Sequence, residues 1–249
     1  MINLEEFNRK GYTVVKNVLS PDEITTLKGK LNKIQKQQIT EFGLDKIKTI
    51  NEQGSVRCPL LYDDYFLNLL TIPQIMEYVE SILGDYYILS LQNSIIIEPS
   101  KIHHQSFYHR DIIHQNFTSS KPLGVNVYFC LDDYNEKSGG TTFIPGSHLI
   151  ENFPPHPQEE SPKVEAGSVI LFNSMIYHKA GYNTSDNYRY GINHMYVLPF
   201  IKQQINLPLA LNGKHSQDFP LNRILGYLSK EYNNVLDFRQ TRYNKLINE

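Results

Sequence analysis

The chain has 249 residues, 40% hydrophobic and 20% charged, an ordinary soluble composition with enough apolar material for a sizeable core. Its formal net charge of −2 provides no basic field for nucleic acid or an anionic membrane, so neither is expected as a partner. The two cysteines, Cys58 and Cys130, form no CxxC pair, which excludes a zinc ribbon or a thioredoxin motif and suits a reducing compartment. The opening residues Met1-Ile2-Asn3-Leu4-Glu5-Glu6 are acidic and lack the basic and apolar regions of a signal peptide. No run approaches the roughly 18 apolar residues of a membrane span, so a cytoplasmic protein is expected.

Residues 4–10 predict a short helix that Gly11 ends, and Tyr12-Thr13-Val14-Val15 reads as a strand. Ser20-Pro21-Asp22-Glu23 carries the capping-box signature of a helix start, followed by Ile24, Leu27, Leu31 and Ile34 at helical spacing. Residues 40–70 show no clear period. Pro73 to Leu83 predicts a helix with Ile75, Met76, Val79 and Ile82 on one face, closed by Gly84-Asp85. From residue 86 the pattern changes to short strand-like runs: Tyr86 to Glu98, Leu123 to Leu131, Thr141 to Ile144, Val169 to Phe172 and Tyr190 to Leu198. Many short strands separated by Gly, Pro and Asn argue for a β-sandwich or barrel. Residues 216–249 read as helical again. The expected organisation is one domain over 1–249: a helical support to about 85, a β core to about 200, and a helical tail.

The chemistry concentrates in Phe107-Tyr108-His109-Arg110-Asp111. On a strand, residues i and i+2 share a face, so His109 and Asp111 can project into a barrel together. H-x-D alone is a weak signal, and the chain has nine histidines. His178 stands out because it follows Gly167-Ser168-Val169-Ile170-Leu171-Phe172-Asn173, a turn leading into an apolar strand that can bring a histidine to face His109. Two histidines and a carboxylate on one face, with three positions left open, suit a non-haem Fe(II) oxygenase. Arg189 follows eleven residues after His178, at the start of the next strand. A buried guanidinium needs an anionic partner. A dicarboxylate that chelates iron at one end and meets Arg189 at the other would supply it.

These features resemble the phytanoyl-CoA dioxygenase family. The resemblance is carried by Tyr108-His109-Arg110-Asp111, by Leu131-Asp132-Asp133 with Ser138-Gly139-Gly140-Thr141, by Phe143-Ile144-Pro145-Gly146-Ser147-His148, and by Gly167 to Phe172 with the His178–Arg189 spacing. It covers roughly residues 4–200. It implies a mainly β fold with flanking helices and a double-stranded β-helix (jelly-roll, cupin-like) core. It implies Fe(II) on His109, Asp111 and His178, with 2-oxoglutarate and O2 as cosubstrates and Arg189 on the distal carboxylate of 2-oxoglutarate. Asn93, Thr118 and Tyr128 are further implied cosubstrate contacts. His148 belongs to a turn in the family and is not expected to bind metal. Relatives often carry Ser or Thr at the place of Ala180, which cannot donate a hydrogen bond. The carboxylate of Asp111 favours hydroxylation over halogenation, since halogenating relatives have a small residue there.

The implied activity is hydroxylation of an unactivated C–H of a small molecule with release of succinate and CO2. A cupin-like metal protein that does not use 2-oxoglutarate, or a non-catalytic binding module, remains open. Arg110, His114 and Gln115 can meet a polar substrate or can be solvated loop residues. The substrate and the oligomeric state are not legible.

Overall fold

The computed structural model describes residues 4–100, 104–112, 116–229 and 231–247. Helix α1 (Leu4–Lys10) ends at Gly11, whose positive φ of 87° turns the chain into β1 (Tyr12–Val15). Ser20 caps α2 (Pro21–Phe42): its hydroxyl accepts from Glu23 N at 3.3 Å, while Ser20 N donates to Glu23 Oε2 at 2.8 Å. Leu27, Leu31 and Ile34 of α2 are buried. The stretch that showed no period contains α3 (Leu44–Thr49), β2 (Ser55–Arg57) and two 3-10 turns, Pro59–Leu61 and Asp64–Leu70. Helix α4 (Pro73–Leu83) has the predicted bounds. Its buried face is Ile75, Tyr78, Val79 and Leu83; Met76 and Ile82 lie half-buried at the margin.

The remaining strands are β3 (Ile88–Ile97), β4 (Gly124–Cys130), β5 (Thr141–Phe143), β6 (Val169–Asn173), β7 (His178–Ala180) and β8 (Arg189–Val197). The expected helical tail is interrupted. After α5 (Leu207–Ala210) come α6 (Leu221–Ile224) and α7 (Val235–Ile247), separated by turns in which Gly226 takes a φ of 90°. Among the described residues no helix is long and apolar enough to cross a membrane.

Six strands form one antiparallel sheet in the order β1-β6-β4-β8-β3-β2, among the described residues. Facing it, β5 pairs with β7 over three residues. Isolated bridges extend this second layer on both sides, His109 to His178 and Phe143 to Glu160. Strand alternation sorts the core. Val125, Val127 and Phe129 of β4, with Ile192 and Tyr196 of β8, face α2 and α4 in the main apolar cluster. Tyr128 and Cys130 point the other way and join Tyr12, Phe143, Ile170 and Phe172 between the two layers. The candidate site opens from that inner layer.

Candidate metal and cosubstrate site

His109 and Asp111 do not lie on a regular strand. His109 forms a single bridge to His178, with N–H···O distances of 3.0 and 3.1 Å in the two directions, and Asp111 lies in a bend. Two residues beyond the bridge, the regular antiparallel partner of Asp111 would be Ile176. Instead Asp111 N donates to Ser174 O at 3.0 Å, because Ser174 to Tyr177 form a turn closed by Ile176 N donating to Asn173 O. The same turn corrects the expected route to His178. The histidine is not carried on the Gly167–Phe172 strand; it opens β7 in the other layer.

The ligand-type atoms of His109, Asp111 and His178 all lie within 4.8 Å of one another. Each imidazole uses Nδ1–H on a backbone carbonyl: His109 on Phe107 O at 2.8 Å and His178 on Ile176 O at 3.0 Å. A carbonyl can only accept, so these bonds fix the tautomer and leave both Nε2 lone pairs free. His109 Nε2 lies 3.5 Å and His178 Nε2 lies 3.7 Å from Asp111 Oδ1. His109 Nε2 is buried and makes no hydrogen bond among the described residues. A divalent metal fits this set: two neutral imidazole nitrogens and one carboxylate oxygen converge on one point, with their second atoms engaged elsewhere.

The electrostatics favour an ionised carboxylate and a neutral His178. Burial disfavours the charged form of Asp111, but His178, His109 and the Asn126 amide outweigh it and hold its pKa below the usual range. Burial dominates at His178 and lowers it to about 4 despite Asp111, so this imidazole is neutral near pH 7 and able to ligate. At His109 burial is outweighed by the nearby Asp111 carboxylate and by the Phe107 carbonyl, and the pKa is raised, so a metal there competes with a proton.

Arg189, the first residue of β8, is 2% exposed. Its guanidinium stacks on the Tyr134 ring at 4.5 Å, yet Nε and Nη1 have no hydrogen-bond partner among the described residues. The Tyr134 hydroxyl lies 3.1 Å from both the Tyr128 hydroxyl and the Tyr190 carbonyl. Burial raises the pKa of both phenols against the pull of Arg189, so they remain neutral donors. A buried cation with orphaned donors beside two phenols fits an anionic carboxylate.

The other expected contacts are placed differently. Thr118 gives its hydroxyl proton to His148 O at 2.9 Å. Asn93 stands on β3 directly across from Asn193 and from Arg57; with its oxygen turned to Arg57 it accepts from Nη1 at 2.9 Å. Ala180 sits opposite Thr141. His148 braces α1, with Nε2 3.0 Å from Asn8 O, and is absent from the metal cluster. Arg110 is neither a solvated nor a cleft residue. It is 3% exposed and donates to the carbonyls of Phe117, Ser147, Ile150 and Glu151 while covering the Tyr177 ring. His114 and Gln115 lie outside the described residues. Sequence reasoning passed over Asn126, Ser174 and Tyr134, each a common residue type in an unremarkable stretch.

The remaining motifs are structural. Asp132 accepts from Tyr190 N at 2.8 Å and pairs with Lys28; Asp133 accepts from Ala166 N at 2.8 Å. Gly139 has a φ of 67°, and a Cβ there would lie 2.5 Å from the Tyr182 backbone.

A family model described as phytanoyl-CoA dioxygenase matches residues 7–191. The chain belongs to this family. An uncharacterized protein of Mycobacterium tuberculosis is 30% identical over 245 residues, covering 95% of this chain and 90% of that one. The peroxisomal phytanoyl-CoA dioxygenase of Rattus norvegicus is 22% identical, covering 97% and 80%. The fold is similar to that of the epimerase SnoN from nogalamycin biosynthesis, solved in complex with Fe3+, α-ketoglutarate and nogalamycin RO, with a TM-score of 0.59, 20% identity and coverage of 78% and 82%. This phytanoyl-CoA dioxygenase family member is a jelly-roll Fe(II)- and 2-oxoglutarate-dependent oxygenase, with O2 as the second cosubstrate.

Proposed function

We propose that this family member hydroxylates an unactivated C–H of a small molecule, with Fe(II) on His109, Asp111 and His178 and 2-oxoglutarate on Arg189. The observation that carries the reading is Arg189: a buried cation with two orphaned donors, on the inward face shared with the metal cluster. Iron with 2-oxoglutarate and O2 supplies the oxidising chemistry, which ends in succinate, CO2 and an oxygen atom on the substrate carbon. The protein's own part is orientation. The Phe107 and Ile176 carbonyls hold the two imidazoles. Arg189 and the phenols of Tyr128 and Tyr134 fix the far end of the cosubstrate. Asn193, Asn93 and Arg57 lie half-buried side by side across β8, β3 and β2, and Arg57 lines a cavity of about 420 Å3 with Gln38, Phe42, Cys58 and Tyr62; this polar row supports a substrate with polar groups. The complex of SnoN with nogalamycin RO supports a small-molecule substrate. The elements act as one catalytic unit. The two buried free thiols fit a cytoplasmic setting.

Anaerobic Fe(II) plus 2-oxoglutarate is expected to give a weak visible charge-transfer band, lost in His109→Ala and Asp111→Ala. Arg189→Ala should weaken 2-oxoglutarate by about 2–5 kcal/mol, thirty-fold or more, and iron far less. A wild-type protein with neither bound iron nor a band sinks the reading. A band that survives Arg189→Ala at unchanged 2-oxoglutarate affinity removes the assigned role of Arg189.

A further inference from the structure

The Asp111 carboxylate is held from behind by a closed ring of three residues. The Ser174 carbonyl accepts from Asp111 N at 3.0 Å. The Ser174 hydroxyl donates to Asn126 Oδ1 at 2.6 Å, and Asn126 Nδ2 donates to Asp111 Oδ2 at 2.6 Å. Because a carboxylate only accepts, the Asn126 amide has its nitrogen toward Asp111 and its oxygen toward the Ser174 hydroxyl, which holds it there. Asn126 and Ser174 are both 0% exposed, so water does not substitute for either bond. Gly124 leaves the space the ring needs: a Cβ there would lie 2.9 Å from Ser174 Oγ.

A fully buried asparagine and serine on an apolar strand layer carry a desolvation cost, recovered only when every polar atom is paired. Here the pairing converges on one carboxylate oxygen. Oδ2 is occupied by a short bond to an amide donor, while Oδ1 faces both imidazoles, 3.5 and 3.7 Å away. A free carboxylate can rotate and offer a metal both oxygens; rotation here breaks a buried charge-assisted hydrogen bond. The same Asn126 nitrogen also donates to Asn193 Oδ1 at 3.1 Å. Asn193 lies on β8 four residues after Arg189, on the same inward face.

We propose that Asn126, fixed by Ser174, is a positioning residue that holds Asp111 as a one-oxygen metal ligand and ties it to the strand carrying Arg189. The proposal rests on the iron assignment above. The test measures Fe(II) affinity of the purified full-length protein by anaerobic chelator competition, together with the Fe(II)–2-oxoglutarate band. Asn126→Ala should weaken Fe(II) about 10- to 100-fold and shift the band. Ser174→Ala keeps the amide but frees it to turn, and should weaken Fe(II) by about 3- to 10-fold. A packing role alone would lower the unfolding midpoint of the metal-free protein and leave both readouts of the folded fraction unchanged. A folded Asn126→Ala that binds Fe(II) within about twofold of wild type, with the same band, overturns the proposal. Should that variant not fold, Ser174→Ala decides by the same criteria. If wild type binds no Fe(II), the iron assignment falls and the proposal falls with it. If wild type and both variants bind alike, the ring alone is refuted.

Discussion

At Gly191 the absence of one atom shapes the surroundings of Arg189, the proposed cosubstrate site. A Cβ at this position would lie 2.3 Å from the Tyr128 hydroxyl and 2.5 Å from the Tyr134 hydroxyl. Neither ring can swing aside freely, since Tyr128 is 6% and Tyr134 1% exposed. Gly191→Ala therefore displaces the phenols that flank Arg189. Overpacking of this kind costs about 1–3 kcal/mol of stability. The affinity for 2-oxoglutarate, titrated through the Fe(II) band, should fall about tenfold or more while Fe(II) affinity holds. An unchanged titration would mean that the phenols do not shape that site. The contrast with the legible residues is instructive. His109, Asp111, His178 and Arg189 could be singled out because the H-x-D pair and the interval of eleven match the spacing of the family the sequence resembles. Asn126, Ser174 and Tyr134 carry no such mark. Asn126 lies 48 residues from Ser174 and 67 from Asn193, and only the folded strands bring them together. The nearest sequence signal is the polar residue between Val125 and Val127, inside a run that is buried throughout.

Among the elements, α2 shows what local chemistry determines. Its start is set by residues within four positions of one another, so the capping box read from Ser20 and Glu23 appears as hydrogen bonds. Ser20→Ala removes the side-chain cap and should cost about 1 kcal/mol. Equilibrium urea unfolding should show this as a lower midpoint at constant slope, and a midpoint unchanged within error would show that the helix is held by its packed face alone. That face is Leu27, Leu31 and Ile34 against the sheet. Residues 40–70 were illegible for the opposite reason. Their 3-10 turns are too short to show a period and are held by a distant side chain: Gln92 accepts from Leu60 N at 2.8 Å and donates to Phe66 O at 3.2 Å. The β5–β7 layer was half-legible. Its strands are three residues long, and the turn at Ser174 to Tyr177 that delivers His178 carries no Gly or Pro to announce it.

The whole molecule divides its titratable groups between the two faces of the large sheet. The inner face holds the proposed metal ligands and Arg189. The outer face, packed on the helices, holds His194, which is 0% exposed. Its Nε2 lies 2.9 Å from Gln92 Nε2 and its Nδ1 3.4 Å from the Tyr196 hydroxyl, with Phe129 edge-on at 5.1 Å. Among the described residues no anion faces it, and burial lowers its pKa to about 3. The unfolded chain takes up this proton near pH 6.5, whereas the folded chain does so only near 3. Between those values the unfolded state binds more protons, so stability rises with pH. The contribution of His194 is fully present above about pH 6.5 and is lost progressively as pH falls toward 3, at about 1.4 kcal/mol per pH unit. His194→Gln keeps a hydrogen-bonding side chain that does not titrate. Measured by urea unfolding of metal-free protein at pH 6.5 and 4.5, the variant should lose less stability on acidification than wild type, by about 2–3 kcal/mol. The absolute stability of the variant at pH 6.5 is immaterial to this comparison, because repacking acts equally at both pH values. Parallel losses in the two proteins would show that His194 is protonated within the fold, and that the Gln92–His194 pair opens to water without unfolding the sheet.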